Sequence, residues 1–153
     1  MHDLVFKKEL RPDGQITELL LLADPSIEVI ESYINHSELF TASIANETIG
    51  VFVLLPNDTN TIEIKNIAVR TDYQGIGLGK RLLEKACEVS AEMSFNTIKI
   101  ATGNSSIGQL ALYQKQGFEL KGITPDFFID HYPLPIFENG IQCKHLILLE
   151  KNL

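Results

Sequence analysis

The chain has 153 residues, of which 44% are hydrophobic and 22% charged, as is typical of a globular domain of ordinary size. Its net charge of −7 at pH 7 argues against a nucleic-acid partner, and no apolar run approaches the roughly 20 residues that a membrane span needs. The N-terminus also lacks the apolar core of a signal peptide. We therefore expect a single cytoplasmic domain over residues 1–153, with neither a nucleic-acid nor a membrane partner. Cys87 and Cys143 have no metal-ligand spacing, so we expect two reduced packing residues and no metal.

Strand and helix signals alternate in the first part of the chain. His2 to Glu9 predicts a strand, whereas Leu19 to Leu22 fits either a helix or a buried strand. Asp24 followed by Pro25 predicts a helix start, with Asp24 as the N-cap and proline at the first helical position. The helix then continues with apolar residues at helical spacing, namely Ile27, Ile30 and Ile34.

A hairpin and a third strand are predicted next. Phe40 to Ala45 and Ile49 to Leu55 have the composition of paired strands, with the turn at Asn46-Glu47. Thr61 to Val69 predicts the third strand, which leads directly towards a glycine-rich segment.

The second half of the chain predicts two helices, three strands and one long loop. Apolar residues from Leu82 to Met93 share one helical face, and this helix ends before Asn96. A second helix is predicted at Gln109–Gln116. The predicted strands are Thr97–Ala101, Phe118–Ile123 and Lys144–Glu150, and the long loop is Asp126–Ile141.

The run Gln74-Gly75-Ile76-Gly77-Leu78-Gly79, followed by Lys80-Arg81 and a helical pattern, carries the strongest functional signal. Glycines at alternate positions let a loop turn tightly, and the N–H groups at the start of the following helix can bind an anion. Two cations at a helix N-terminus are unfavourable by themselves, so a bound phosphate group would explain them. The alternative is an ordinary strand–turn–helix connection.

Two nucleotide-binding motifs fit this run poorly. A P-loop needs glycine where Gln74 stands and serine or threonine where Arg81 stands. A dinucleotide fingerprint needs Gly-x-Gly-x-x-Gly, whereas the glycines here are spaced Gly-x-Gly-x-Gly, and no acid ends the next strand. The phosphate ligand is therefore expected to be of another kind.

Three segments together resemble the GCN5-related N-acetyltransferases. Gln74, Gly77 and Gly79 fill the Gln/Arg-x-x-Gly-x-Gly/Ala signature of the acetyl-CoA pyrophosphate loop in that family. The strand before the loop and the segment Leu112–Phe118 also look like that family, in the expected order. The resemblance implies a mixed α/β fold, in which a central, mostly antiparallel and splayed sheet of about six to seven strands is flanked by about four helices.

The resemblance also implies acetyl-CoA as co-substrate. The pantetheine arm would pair with the end of the strand that precedes the loop, where a backbone N–H near Val69 would serve as an oxyanion hole. Relatives carry asparagine where this chain has Ser106, so either Ser106 or the nearby Asn104 is expected to contact pantetheine. The expected cofactor-binding residues are Ile67, Ala68, Val69, Gln74, Gly75, Ile76, Gly77, Leu78, Gly79, Lys80, Arg81, Asn104 and Ser106.

Two residues are candidates for the proton transfers that accompany attack of an amine on a thioester. Tyr113 matches the tyrosine whose hydroxyl lies beside the cofactor sulfur in the family, so it is the candidate general acid; a phenol is protonated at neutral pH. Glu63 matches the catalytic glutamate of the histone-acetylating members and is the candidate general base, kept ionised by Lys65. By period-two alternation, Glu63 and Val69 are expected to share one face of their strand. The alternatives are a core tyrosine and a solvated Glu63–Lys65 pair, with a water chain as the base.

The negative charge is confined to one part of the sequence. Residues 1–60 carry the whole net charge of −7, whereas residues 61–153 hold ten acids and ten bases. An acidic surface of this kind either serves solubility or attracts a cationic acceptor, and a small primary amine is the expected acceptor. Acetylation of a protein N-terminus or lysine and a non-catalytic acyl-CoA-binding module are alternative functions. A homodimer is one open alternative for the assembly.

Overall fold

In the computed structural model, which describes residues 3–153, a seven-stranded sheet forms the centre of the protein. The strands of the chain are β1 (Leu4–Glu9), β2 (Glu38–Ile44), β3 (Glu47–Pro56), β4 (Thr61–Val69), β5 (Thr97–Gly103), β6 (Glu119–Thr124), β7 (Ile136–Glu138), β8 (Ile141–Cys143) and β9 (Leu146–Asn152). The helices are α1 (Gly14–Ala23), α2 (Ile27–Ile34), α3 (Leu78–Glu92), α4 (Ile107–Lys115) and α5 (Phe127–His131).

The strands of the large sheet lie in the order β1-β2-β3-β4-β5-β9-β6, and β7 and β8 form a separate hairpin. Neighbouring strands run antiparallel except β4 and β5, which are parallel. Over the residues described, this mixed α/β architecture, with its mostly antiparallel sheet and five helices, confirms the predicted fold class.

Two apolar layers cover the two faces of the sheet. One cluster includes Phe52, Leu82 and Ile98 and packs α3 and α4 against the sheet. The other includes Leu20 and Ile30 and packs α1 and α2 against the opposite face. Burial of apolar surface on both faces, at about 25 cal/mol per Å², is the main stabilising contribution of these helices.

The N-terminal region resolves one ambiguity of the sequence. Leu19 to Leu22 belongs to helix α1, in which Leu19 and Leu20 are buried while the next two leucines face outwards. The Asp13 carboxylate caps this helix by accepting a hydrogen bond from the Ile16 N–H at 2.8 Å. The predicted first strand is present as β1 from Leu4, and its predicted start at His2 lies outside the residues described.

The predicted N-cap of the second helix is wrong by two residues. Asp24 ends α1 in an extended conformation (φ −135°, ψ 112°), because the residue before a proline disfavours the helical region. The N-cap of α2 is instead Ser26, whose hydroxyl accepts a hydrogen bond from the Val29 N–H at 3.3 Å. The Asp24 side chain is thereby available for contacts outside the helix.

Two turns also differ from their predicted form. The β2–β3 hairpin turns at Ala45 and Asn46, which have φ values of +51° and +67°, one residue before the predicted turn. This pair of positive φ values matches the tight hairpin turn that follows the twist of its strands. The predicted loop Asp126–Ile141 contains α5 and most of the β7–β8 hairpin, whose short elements give little periodic signal.

Strand β4 contains a β-bulge next to the point where its pairing with β5 ends. Along the β3–β4 ladder, Val53 lies opposite Asn66 and Leu54 opposite Ile64, so Lys65 is an extra residue in β4. On its other side, β4 pairs with β5 only over Thr61–Ile64. The two strands therefore diverge at the point where the bulge bends β4.

Candidate active site

A cleft of about 620 Å³ opens where β4 and β5 diverge. It is bounded by the α1–α2 connection, β4, the glycine loop, α4 and the segment from α5 to β8. Most of the predicted site residues line this cleft, namely Glu63, Ile67, Ala68, Val69, Gln74, Gly75, Gly77, Gly79, Lys80, Ser106 and Tyr113.

The remaining predicted site residues lie beside the cleft but not in its lining. The Ile76 and Arg81 side chains are exposed to solvent, and Leu78 is buried in the apolar core. Of these three, Ile76 and Leu78 can offer the ligand only backbone groups, whereas Arg81 can offer its exposed guanidinium, since its N–H already bonds to the Gly77 carbonyl.

One edge of β4 is open along the cleft. Beyond Ile64, no described strand pairs with β4 on the side that faces β5. A row of free N–H and C=O groups is a template for an additional extended segment. Gln74 donates from Nε2 to the Val69 carbonyl at 2.9 Å, which ties the glycine loop to the end of this strand.

The glycine loop turns into α3 through two residues in the left-handed region. Gly75 has φ +80° and Gly77, the N-cap of α3, has φ +89°. None of the described side chains caps this helix, and its first intrahelical bond runs from the Arg81 N–H to the Gly77 carbonyl. The earlier N–H groups of α3 are thus available to an anion, where the helix dipole favours negative charge.

Asn104, the other member of the pair predicted to contact pantetheine, does not line the cleft and binds the backbone of a neighbouring connection. Its Oδ1 accepts hydrogen bonds from the N–H groups of Lys144 (2.7 Å) and His145 (2.9 Å), and its Nδ2 donates to the Gln142 carbonyl at 3.1 Å. The amide is therefore occupied in holding the connection between β8 and β9. Ser106 is the member of the predicted pair that lines the cleft.

Ser106 brings into the site a carboxylate that the sequence did not point out. Its Oγ donates to Glu138 Oε1 at 2.9 Å, and Ser105 Oγ donates to the same oxygen at 3.4 Å. Glu138 comes from β7, inside the segment predicted to be a loop. An isolated acid in such a segment carries no sequence signal, because its partners are more than 30 residues away.

Tyr113 lies on α4 with its ring buried next to Phe118, at a centroid distance of 6.2 Å. Burial raises the pKa of this phenol well above its usual range, so the side chain stays protonated throughout the neutral range. Within residues 3–153 no group hydrogen-bonds to its hydroxyl, and the residue lines the cleft. Tyr113 is therefore a proton donor without a hydrogen-bond partner among the residues described.

Glu63 is held by two weak polar contacts at the edge of the cleft. Lys65 Nζ lies 3.7 Å from Glu63 Oε2, and Asn57 Nδ2 donates to Oε1 at 3.5 Å. The prediction that Glu63 and Val69 share one face of the strand is wrong. The bulge at Lys65 inverts the alternation, so Glu63 and Ala68 lie on the face covered by α1 and α2 while Val69 lies on the α3 face.

Four further polar residues meet at the end of the cleft covered by α1 and α2. Asn66 Nδ2 donates to the Leu20 carbonyl at 2.9 Å and to Tyr33 Oη at 3.1 Å. Tyr132 Oη donates to Asp24 Oδ1 at 3.0 Å, across 108 residues of sequence. We call Asp24, Tyr33, Asn66 and Tyr132 the polar cluster. No local sequence pattern predicts it, because its members are far apart in the chain.

An open strand edge beside a glycine loop at a helix N-terminus defines a protein that binds an extended ligand carrying phosphate groups. The sequence model of the Acetyltransferase (GNAT) family matches residues 8–118, and the chain belongs to this family. It is 47% identical to the uncharacterized N-acetyltransferase YvbK of Bacillus subtilis, over 92% of this chain and 91% of that protein.

Two solved structures resemble the whole chain. A GNAT family acetyltransferase from Elizabethkingia anophelis with acetyl-CoA bound is 45% identical, with a TM-score of 0.95 over 98% of each chain. A Bacillus subtilis acetyltransferase in complex with CoA is 43% identical, with a TM-score of 0.94 over 99% of each chain. The protein is thus an acetyl-CoA-dependent N-acetyltransferase, as the resemblance of its motifs predicted. Among residues 3–153, no helix is long and apolar enough to cross a membrane.

Proposed function

We propose that the protein transfers the acetyl group of acetyl-CoA to the primary amine of a small cationic molecule, by direct attack in a ternary complex. The observation that carries this proposal is a single cleft lined by an open strand edge, a glycine loop, a protonated tyrosine and three carboxylates. The three carboxylates are Asp24, Glu63 and Glu138.

Acetyl-CoA has a natural orientation in this cleft. Its pyrophosphate would lie on the loop amides between Gly75 and Lys80, where the dipole of α3 and the Lys80 ammonium favour negative charge. The pantetheine arm would pair with the open backbone of Ile67–Val69, and Ser106 would contact it from the opposite wall. A backbone N–H near Val69 would then stabilise the oxyanion.

The reaction needs two proton transfers. Glu63 would accept a proton from the amine, directly or through water, as the nitrogen attacks the thioester carbonyl carbon. The C–N bond forms, the oxyanion collapses and the C–S bond breaks. Tyr113 would donate its proton to the departing thiolate and would regain one from solvent or from the proton held by Glu63.

The charges lining the cleft favour a cationic acceptor. Its carboxylates outnumber its lysines, Lys65 and Lys80, and Lys80 stands at the proposed pyrophosphate end. The exposed acids of α2, such as Glu28 and Glu31, do not line the cleft. Recognition would therefore rest on the cleft carboxylates, whereas the exposed acids would act only at long range.

Measuring thiol release from acetyl-CoA with a panel of small amines, amine antibiotics and peptides tests the proposal. We expect a small cationic amine to give the highest kcat/KM. A peptide N-terminus or a lysine peptide as the best acceptor would overturn the assignment of the acceptor, and a neutral amine as the best one would overturn its charge.

Glu63→Gln is expected to lower kcat about 10²-fold, the lower end of what general base catalysis contributes. The matched control is Glu150→Gln. Glu150 also lies on a strand and pairs with a lysine, Lys99, at 3.7 Å. Its side chain is 27% exposed, close to the 21% of Glu63. Glu150 does not line the cleft, so the control should keep wild-type kinetics. If wild type and Glu63→Gln have the same kcat, a water chain removes the proton from the amine and Glu63 takes no part.

Raising the ionic strength is expected to lower kcat/KM for a cationic acceptor more than the affinity for acetyl-CoA. Coulomb attraction between exposed charges is about 1 kcal/mol at 4 Å in water, and salt screens it beyond about 8–10 Å. The effect should therefore appear in capture of the acceptor. Steady-state kinetics from low to high salt measure this effect. A kcat/KM that does not depend on salt would show that the acidic surface does not attract the acceptor and serves only solubility.

A further inference from the structure

We infer that the polar cluster of Asp24, Tyr33, Asn66 and Tyr132 binds a second cationic group of the acceptor, so that the preferred acceptor is a diamine. The inference rests on the proposed function and goes further by naming the recognition site and the substrate class. Its starting point is the carboxylate of Asp24, which lines the cleft and has no cationic partner within residues 3–153.

Asp24 differs from the other two carboxylates of the cleft. Glu63 has Lys65 as its partner, and Glu138 accepts from two serine hydroxyls. Asp24 Oδ1 accepts from the Ser26 N–H at 3.1 Å and from Tyr132 Oη at 3.0 Å. Within the part of the chain that is described, no Lys, Arg or His nitrogen lies within 4.0 Å of Asp24, and its Oδ2 has no hydrogen-bond donor.

The geometry holds this carboxylate in place. The backbone N–H of Ser26 fixes it at the end of α1, and the hydroxyl of Tyr132, at the end of α5, fixes it from a distant part of the chain. Burial, followed by the charge of Asp24, raises the pKa of Tyr132, which therefore remains a hydrogen-bond donor. A half-buried, oriented carboxylate without a counter-charge is a binding site for an ammonium group.

Aromatic rings surround the same end of the cleft. Tyr33 and Tyr132 line it together with Phe127 and Phe128, and the Phe128 and Tyr132 rings stack at 5.6 Å. Aromatic faces beside a carboxylate attract cations through their quadrupoles and pack against methylene groups. Lys65 already lies 5.4 Å from the centre of the Tyr33 ring, but its ammonium is paired with Glu63.

A second independent observation is an unsatisfied polar atom behind this wall. Asn66 is 3% exposed and lines the cleft, and its Oδ1 has no hydrogen-bond partner in the described structure. Its Nδ2 donates to Tyr33 Oη, which leaves the proton of that hydroxyl free to turn towards Asp24 or the acceptor. An unpaired buried carbonyl oxygen is costly, so a donor that reaches it when the acceptor binds would be favoured.

The ammonium bound at Asp24 must be distinct from the reacting amine. An amine held at Asp24 as an ammonium has no lone pair for attack, and the proton acceptor of the proposed reaction is Glu63 rather than Asp24. The reacting nitrogen has to lose its proton near Glu63 and the thioester. One molecule that satisfies both sites carries two amines, one protonated at Asp24 and one free for acetylation.

The test compares aliphatic diamines with two terminal amines, from propane to hexane, against the monoamines of the same length. Wild-type enzyme is expected to acetylate one of the diamines with a kcat/KM about 10- to 100-fold above that of its matched monoamine, the usual contribution of a charged hydrogen bond. Asp24→Asn should raise KM for the diamine by the same factor and leave its kcat unchanged. KM for the monoamine should not move.

Two controls keep the result interpretable. Asparagine retains an oxygen that can accept from Ser26 and Tyr132, so Asp24→Asn should fold, and its melting temperature checks this. Glu31→Gln removes the same charge from an exposed position of α2 that lies outside the cleft, so any loss it causes should be much smaller than that of Asp24→Asn and should not favour the diamine over the monoamine. If both variants lose kcat/KM for the diamine equally, the preference for the diamine comes from the long-range charge of the surface and not from a binding site at Asp24.

A binding measurement separates this inference from the proposed function. Calorimetry of the enzyme saturated with CoA should show the diamine binding to wild type and binding at least about 10-fold more weakly to Asp24→Asn. Equal kcat/KM values for diamines and monoamines would overturn the diamine site while leaving amine acetylation intact. If no amine is acetylated but the diamine binds to wild type and not to Asp24→Asn, the diamine site is confirmed and the proposed acetylation of a small amine is wrong.

Discussion

Replacing Tyr113 with phenylalanine is expected to lower kcat by about 10²–10⁴-fold, the usual contribution of a positioned proton donor. Phenylalanine keeps the ring that packs against Phe118, so the fold and the affinity for acetyl-CoA should persist. The raised pKa of the Tyr113 phenol has a further consequence. Because the acid form persists above the ordinary tyrosine range, wild-type activity should show no loss attributable to Tyr113 between about pH 6 and 9.

Single-turnover kinetics with a good acceptor, together with calorimetry of acetyl-CoA binding, measure the two parts of this result. Tyr73→Phe is the matched control, since it also removes a phenolic hydroxyl from a partly buried ring close to the glycine loop but outside the cleft. It should retain wild-type turnover. If Tyr113→Phe also retains it, Tyr113 is a packing residue and the thiolate takes its proton from water.

The sequence predicted those parts of the site that are local in the chain. The glycine loop, the strand before it and the tyrosine of α4 each sit within a short segment, where residue type and spacing decide the conformation. Gly77 at the N-cap of α3 is an example, because only a residue without Cβ adopts its φ of +89° at little cost. The strand Thr61–Val69 was predicted with the bounds that the structure shows.

The parts that could not be predicted depend on contacts between distant segments. The bulge at Lys65 arises from the register between β3 and β4, and no residue in β4 signals that the alternation inverts there. For that reason Glu63 was placed on the wrong face. The Asp24–Tyr132 bond and the serine contacts of Glu138 likewise form only when the α5–β7 segment folds over the cleft.

Asn104 shows how the structure can reveal contacts of a predicted site residue that the sequence does not signal. Its position after β5 was predicted, but a short polar side chain at a strand end can bind either a ligand or the backbone of a neighbouring loop. In the structure, two N–H groups, from Lys144 and His145, converge on Asn104 Oδ1. The sequence contains no signal for these contacts, which join positions about forty residues apart.

Replacing Gly77 with valine is expected to weaken acetyl-CoA binding by about 10- to 150-fold, equivalent to one lost charge-assisted hydrogen bond of about 1.5–3 kcal/mol. Two effects act in the same direction. A β-branched residue strongly disfavours the φ of +89°, so the loop would be displaced, and its side chain would occupy the space that lets the pyrophosphate approach the backbone. The amides at the start of α3 would then no longer converge on the ligand.

Gly140→Val separates backbone strain from loss of the phosphate site. Gly140 also has a positive φ, +74°, with open space around its missing Cβ, but it lies in the β7–β8 turn and does not line the cleft. This control should lower the melting temperature and leave the affinity of the folded protein for acetyl-CoA unchanged. Gly77→Asn adds a third comparison, because asparagine tolerates the left-handed region and so retains the loop conformation while still obstructing the approach. In calorimetry, wild type and Gly140→Val should bind acetyl-CoA equally well, Gly77→Asn more weakly and Gly77→Val most weakly. Unchanged affinity in Gly77→Val would show that the pyrophosphate does not bind at this loop.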